Sequence, residues 1–98
     1  MRKDFSNSDS GEILDFYKKV SKRIRFLREE KNISQLDLAL EIGIKSVAFY
    51  SNCENNRYNK HFNLEHIYKI SKALKIDIED IFKDIKHINF NYKTDNRL

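Results

Sequence analysis

Residues 34–54 read SQLDLALEIGIKSVAFYSNCE. Apolar residues in this stretch follow the three-and-four spacing of a helix, stop at Gly43 and resume after Ser46. Ser34 is a good N-cap residue with Asp37 three positions on, so a helix is predicted from Gln35, with Leu38, Ala39 and Ile42 inward. Ala39 is small enough to let another helix approach closely. Gly43 stands where a left-handed residue would stop that helix, Ile44 is an apolar pin in the turn, and Ser46 is the next N-cap, for a helix over residues 47–54. The rest of the chain is then read as what holds this pair in place.

Upstream, Ile13, Phe16/Tyr17, Val20, Ile24 and Leu27 fall on one helical face, predicting a helix over residues 12–31. Its opposite face carries Lys18, Lys19, Lys22, Arg23, Arg25, Arg28 and Lys31, a run whose spacing alone does not separate a binding surface from a plain solvated face. Residues 1–11 are polar and aperiodic and read as a flexible tail. Downstream, residues 55–61 (NNRYNKH) read as a surface loop. Asn63 caps a fourth helix with Leu64, Ile67, Ile70, Ser71 and Leu74 inward, and Asp77 caps a fifth with Ile78, Ile81, Phe82 and Ile85 toward the core. The expectation is a compact all-α domain of five helices over residues 12–85. In the extension at residues 86–98, Ile88, Phe90 and Tyr92 alternate with polar residues, which fits a strand pairing with another copy, an extended arm or disorder.

The 98 residues suffice for one hydrophobic core, and 40% apolar with 35% charged residues suits a folded domain with a charged surface. Nineteen Lys and Arg against fifteen Asp and Glu give +4, which permits a nucleic-acid partner without requiring one. Cys53 is the only cysteine, so no intrachain disulfide or thiolate metal cluster is expected, and a reducing, cytoplasmic setting is. The N-terminal residues lack the apolar core of a signal peptide, and no apolar run approaches the ~20 residues of a membrane helix. His61, His66 and His87 do not have zinc-ligand spacing. No phosphate-binding glycine loop, nucleophile elbow or suggestive carboxylate pair is present, so neither an enzyme nor a cofactor is expected.

The ordered set Ile24-x-x-Leu27-Arg28, Ile33-Ser34-Gln35-x-x-Leu38-Ala39, Gly43, Ser51-x-x-Glu54-Asn55, Ile70-Ser71-x-x-Leu74-x-Ile76 and Ile81-Phe82 resembles the phage repressor/Cro-type, or xenobiotic-response-element, helix-turn-helix family over about residues 22–83. In such a pair the second helix lies in the major groove of DNA. Gln35 and Glu54 stand one residue further apart here than the family's pattern places its glutamine and glutamate. The turn at 43–46 is expected to absorb that residue, leaving Tyr50 and Cys53 in the core and Val47, Ala48 and Asn52 outside. The other register would bury the Asn52 amide unpaired at a cost of a few kcal/mol, roughly, and is rejected.

The resemblance implies a sequence-specific, double-stranded DNA-binding transcriptional regulator, a repressor by analogy, working as a homodimer in a prokaryotic or phage-encoded setting. It places Ser46, Val47, Ala48 and Asn52 over bases. An Asn amide can pair with adenine, whereas Val47 and Ala48 offer only apolar contact to thymine methyl groups. Gln35, Lys45, Asn55, Arg57 and Lys60 fall at backbone-phosphate positions. Arg28 and Glu54 match a largely buried salt bridge that orients the reading helix. The alternative is an antitoxin-like or other protein-interaction module that binds a partner protein through the C-terminal segment.

Overall fold

The computed structural model describes residues 10–83 and residue 85. They form five α-helices, α1 (Ser10–Glu30), α2 (Gln35–Glu41), α3 (Val47–Asn55), α4 (Leu64–Leu74) and α5 (Ile78–Ile81), with one 3-10 turn at Arg57–Asn59 and no strand among the described residues. The predicted extension at 86–98 and all but the last two residues of the predicted tail lie outside them. Residues 10 and 11 belong to α1, which starts two residues before the expected Glu12.

Three turns share one design. After α1, α2 and α4 the chain passes through a left-handed residue, Asn32 (φ 58°), Gly43 (φ 83°) or Lys75 (φ 58°). An isoleucine follows each, and its N–H closes the last helical turn: Ile33 on the Arg28 carbonyl (3.2 Å), Ile44 on Ala39 (2.8 Å) and Ile76 on Ser71 (3.0 Å). This is the Schellman arrangement, in which the residue after the left-handed one also anchors the turn in the core. In the first and third turns the next residue caps the following helix, Ser34 for α2 and Asp77 for α5. In the second, Lys45 intervenes before the Ser46 cap, whose hydroxyl accepts the Phe49 N–H at 3.1 Å. The turn at 43–46 thus holds one residue more than its two counterparts, where the sequence required it.

Around these turns α3 packs between α1 and α2, α4 lies against α2, and α5 closes on α1 and α4. Val20, Ile24 and Leu27 of α1, Leu38 and Ala39 of α2, Tyr50 and Cys53 of α3, Ile67, Ile70 and Leu74 of α4, and Ile81 of α5 make the core. Each large side chain buried there contributes about 1.5–3 kcal/mol relative to exposure.

Four residues expected inside are outside. Ile13 is exposed because the 21-residue α1 is roughly 30 Å long, more than twice the length of the nine-residue α3, so its first turns overhang the core. Leu64, the first residue of α4, is 80% exposed. The aromatic just before it, Phe62, is buried against Tyr50, with ring centroids 5.3 Å apart. Ile78 opens, and Phe82 directly follows, an α5 of one turn, in which Ile81 alone reaches full burial. Ile85 packs partly against the core as predicted.

Candidate nucleic-acid interface

The two halves of the 34–54 stretch are joined through one carboxylate. Glu54, in the last turn of α3, is 3% exposed and accepts from three helices. Arg28 of α1 donates from Nε (3.0 Å) and Nη2 (3.0 Å), one bond to each oxygen. Tyr50 Oη donates at 2.7 Å from one turn earlier in α3, and Gln35 Nε2 at 2.8 Å from the first residue of α2. Arg25 Nε completes the set at 3.4 Å from the rim. Arg28 also donates from Nη1 to the Ile33 carbonyl at 2.7 Å, fixing the entry to α2.

Burial alone pushes the Glu54 carboxyl up, but bonds from Arg28, Gln35 and Tyr50 with the Arg28 charge outweigh it and hold the group below the ordinary carboxylate value. The hydrogen bond to Glu54 raises Arg28 despite its burial. Burial and the adjacent carboxylate push the Tyr50 phenol well above its usual range, so it remains a donor. The expected Arg28–Glu54 pair is therefore present, and it orients α3 relative to both α1 and α2.

That orientation sets which face of α3 is free. Tyr50, Cys53 and Glu54 are buried, Val47 and Ala48 project from the first turn, and Asn52 is half-buried. Ser46 is exposed but its hydroxyl is engaged in capping. Phe49 packs partly on the core and edge-on to His66, with centroids 6.2 Å apart. Cys53 is a core residue whose thiol burial pushes up in pKa.

The candidate phosphate-facing residues are distributed around this helix pair. Lys45 is exposed in the turn. Gln35 is half-buried and shares its amide with Glu54. Asn55 is exposed, donating to the Ser51 carbonyl at 2.9 Å and accepting from Arg25 Nη2. Arg57 lies back along α3, Nη2 to Ser51 Oγ at 3.1 Å, and Lys60 is exposed at the end of the loop. Asn56, Tyr58 and Asn59 all have positive φ here, and Tyr58 displays its ring at 78% exposure beside Arg57. A left-handed tyrosine with no glycine to ease it is a strained residue that the loop reading did not anticipate.

Two further residues were missed. Arg25, one of several cations on the α1 surface, reaches both Glu54 and Asn55. Asn56, read as loop, donates to Ser21 Oγ (3.2 Å) and the Cys53 carbonyl (3.3 Å), while Ser21 Oγ itself donates to that carbonyl at 3.1 Å. Both tie α1 to the end of α3, and only the crossing of the two helices reveals it. Among the described residues no group of three or more His, Cys, Asp or Glu could hold a metal ion, and no helix is long and apolar enough to cross a membrane. His61 stacks on Tyr17 at 3.8 Å, His66 belongs to the α4 cap, and His87 lies outside the described residues.

A family model described as helix-turn-helix matches residues 24–81, over half of the chain, from the middle of α1 to the end of α5. Neither the curated proteins nor the solved structures gave a match.

Proposed function

The chain belongs to the repressor/Cro-type helix-turn-helix family of DNA-binding transcriptional regulators, and on that footing we propose that it is a sequence-specific repressor that reads DNA with α3 in the major groove. The observation that carries the reading is the division of α3. Its inner face is locked by Tyr50, Cys53 and Glu54, while Val47, Ala48 and Asn52 are presented on the other side, with Ser46 at the helix entrance. Asn52 bonds a base edge, preferably adenine, and Val47 and Ala48 lie against thymine methyl groups. With so few polar base contacts, part of the selectivity rests on the shape of an AT-containing site.

Gln35, Lys45, Asn55, Arg57 and Lys60 face the sugar-phosphate backbone and set register without reading sequence. One such unit, residues 12–85, covers half of a site, so a homodimer on half-sites about one helical turn apart is the working form. The protein acts without a cofactor.

Selection of binding sites from random duplex DNA tests this directly, with Asn52→Ala carried alongside. The intact protein should enrich an AT-containing half-site, in inverted repeat, and the variant should lose about 1–3 kcal/mol of discrimination at one base pair without losing its fold. Failure to enrich any sequence, with only micromolar affinity at physiological salt, would refute sequence-specific repression.

A further inference from the structure

Lys18, Lys22 and Arg25 stand four and three residues apart on α1, on one stripe of the helix. Across from them are Asn55 and Asn56, and between the two sides runs a groove of about 350 Å³. Its acids are already spoken for. Asp15 pairs with Lys19 at 3.2 Å, and Glu54 is buried on Arg28. Lys18 and Lys22 are exposed with no acid in the groove walls left to neutralise them, while Arg25 is fixed at the rim by its bonds to Glu54 and Asn55.

We propose that this groove holds a phosphate of the DNA backbone outside the helix-turn-helix pair, with Lys18 and Lys22 as its charges and Arg25 as its fixed donor. The inference rests on the reading that the protein binds duplex DNA. The groove opens beside Asn55, the residue that begins the phosphate-facing loop, so a strand running past that loop continues between the lysines and α3. Two mobile ammonium groups over a held guanidinium suit a tetrahedral anion. The backbone track on each subunit is thereby longer than α2, α3 and the loop alone provide.

The test uses a random-sequence duplex of about 30 base pairs, roughly three turns, because phosphate contacts need no operator. Affinity is measured against salt for the full chain, for Lys18→Gln/Lys22→Gln, and for Lys72→Gln/Lys83→Gln, which removes the same charge elsewhere. The groove variant should show a log–log salt slope shallower by about 1.8, two contacts' worth, with an unchanged melting temperature. The second variant should keep the slope of the unaltered protein. Equal slopes for all three, or equal flattening in both variants, would overturn the groove while leaving DNA binding intact. Absence of any salt-dependent duplex binding by the unaltered chain would overturn the DNA-binding reading and the groove together.

Discussion

The side-chain amide of Gln35 donates to Glu54 Oε1 at 2.8 Å, so the residue that opens α2 is bonded to the residue that anchors the end of α3. A residue placed by resemblance at a phosphate position thus has an internal duty as well. Gln35→Ala should weaken duplex binding and also lower stability by about 1–2 kcal/mol, since a hydrogen bond to a charged acceptor is lost from a half-buried place. Thermal melts of the free protein separate the two effects. A variant that binds DNA poorly but melts like the unaltered protein would show that the bond to Glu54 is idle.

Arg28 matters more, because it supplies two of the bonds to Glu54 and the only charge buried beside it. Arg28→Ala should cost about 3–5 kcal/mol, for it leaves a carboxylate inside the domain without its buried counter-ion, and only Arg25 at the rim remains near it. Arg28→Lys should recover part of this, as an ammonium group cannot serve both oxygens and the Ile33 carbonyl in one fixed plane. Denaturant titration of the two variants checks the order; equal stability of both would rule out the bidentate geometry as the source.

The same pair has an acid signature. Glu54 has a folded pKa below its ordinary value of 4.5, so the unfolded chain binds more protons in between. Its contribution is complete above the ordinary value and disappears as pH falls through the folded one. Stability measured against pH should therefore fall in that acid window, and Glu54→Gln, less stable at neutral pH, should show a shallower fall. An undiminished slope in the variant would assign the acid sensitivity to other carboxylates.

How much of this was legible in the sequence depends on the range of each interaction. Ser34, Gly43, Ser46 and Asn63 act within a few residues of themselves, and each stands where a cap or stop was read. Tyr50 and Cys53 were placed inside because the competing register would have buried the Asn52 amide, and both are fully buried. Arg25 and Leu64 escaped the reading for one shared reason. Whether Arg25 meets Glu54 or solvent depends on the angle at which α1 crosses α3, and whether Leu64 is covered depends on how far α4 extends past Phe62. Neither angle nor overhang has a local sequence signal, and periodicity alone treats an overhanging first turn as if it were core.

The repeated turn design makes a paired prediction. Gly43 and Lys75 occupy equivalent left-handed positions, and a Cβ built on Gly43 would meet no atom within 4 Å. Gly43→Ala should therefore cost about 1 kcal/mol through backbone strain alone, and Lys75→Gly should gain about 0.5–1 kcal/mol by relieving the same strain. Calorimetry should show opposite shifts, several degrees at most for a domain of roughly this size. Shifts of the same sign would mean that contacts of the side chains, and not φ, govern these turns.

His66 gives the α4 cap a dependence on pH near neutrality that an acidic or amide residue at the same place would lack. Its Nδ1 accepts the Asn63 N–H at 3.1 Å while Asn63 Oδ1 accepts the His66 N–H at 2.8 Å, a capping box with imidazole in the usual place of Glu or Gln. Only the neutral ring has a lone pair to offer, and burial lowers the folded pKa below the ordinary 6.5. Between the folded and unfolded values the unfolded chain binds more protons, so the cap's contribution is complete above the ordinary value and is lost as pH falls through the folded one. His66→Gln keeps an acceptor at the third helical position but cannot titrate. The difference in melting temperature between the unaltered protein and this variant should widen as pH drops from about 7 to about 5, with the variant the less sensitive of the two. A difference that stays constant across that interval would leave the cap indifferent to protonation.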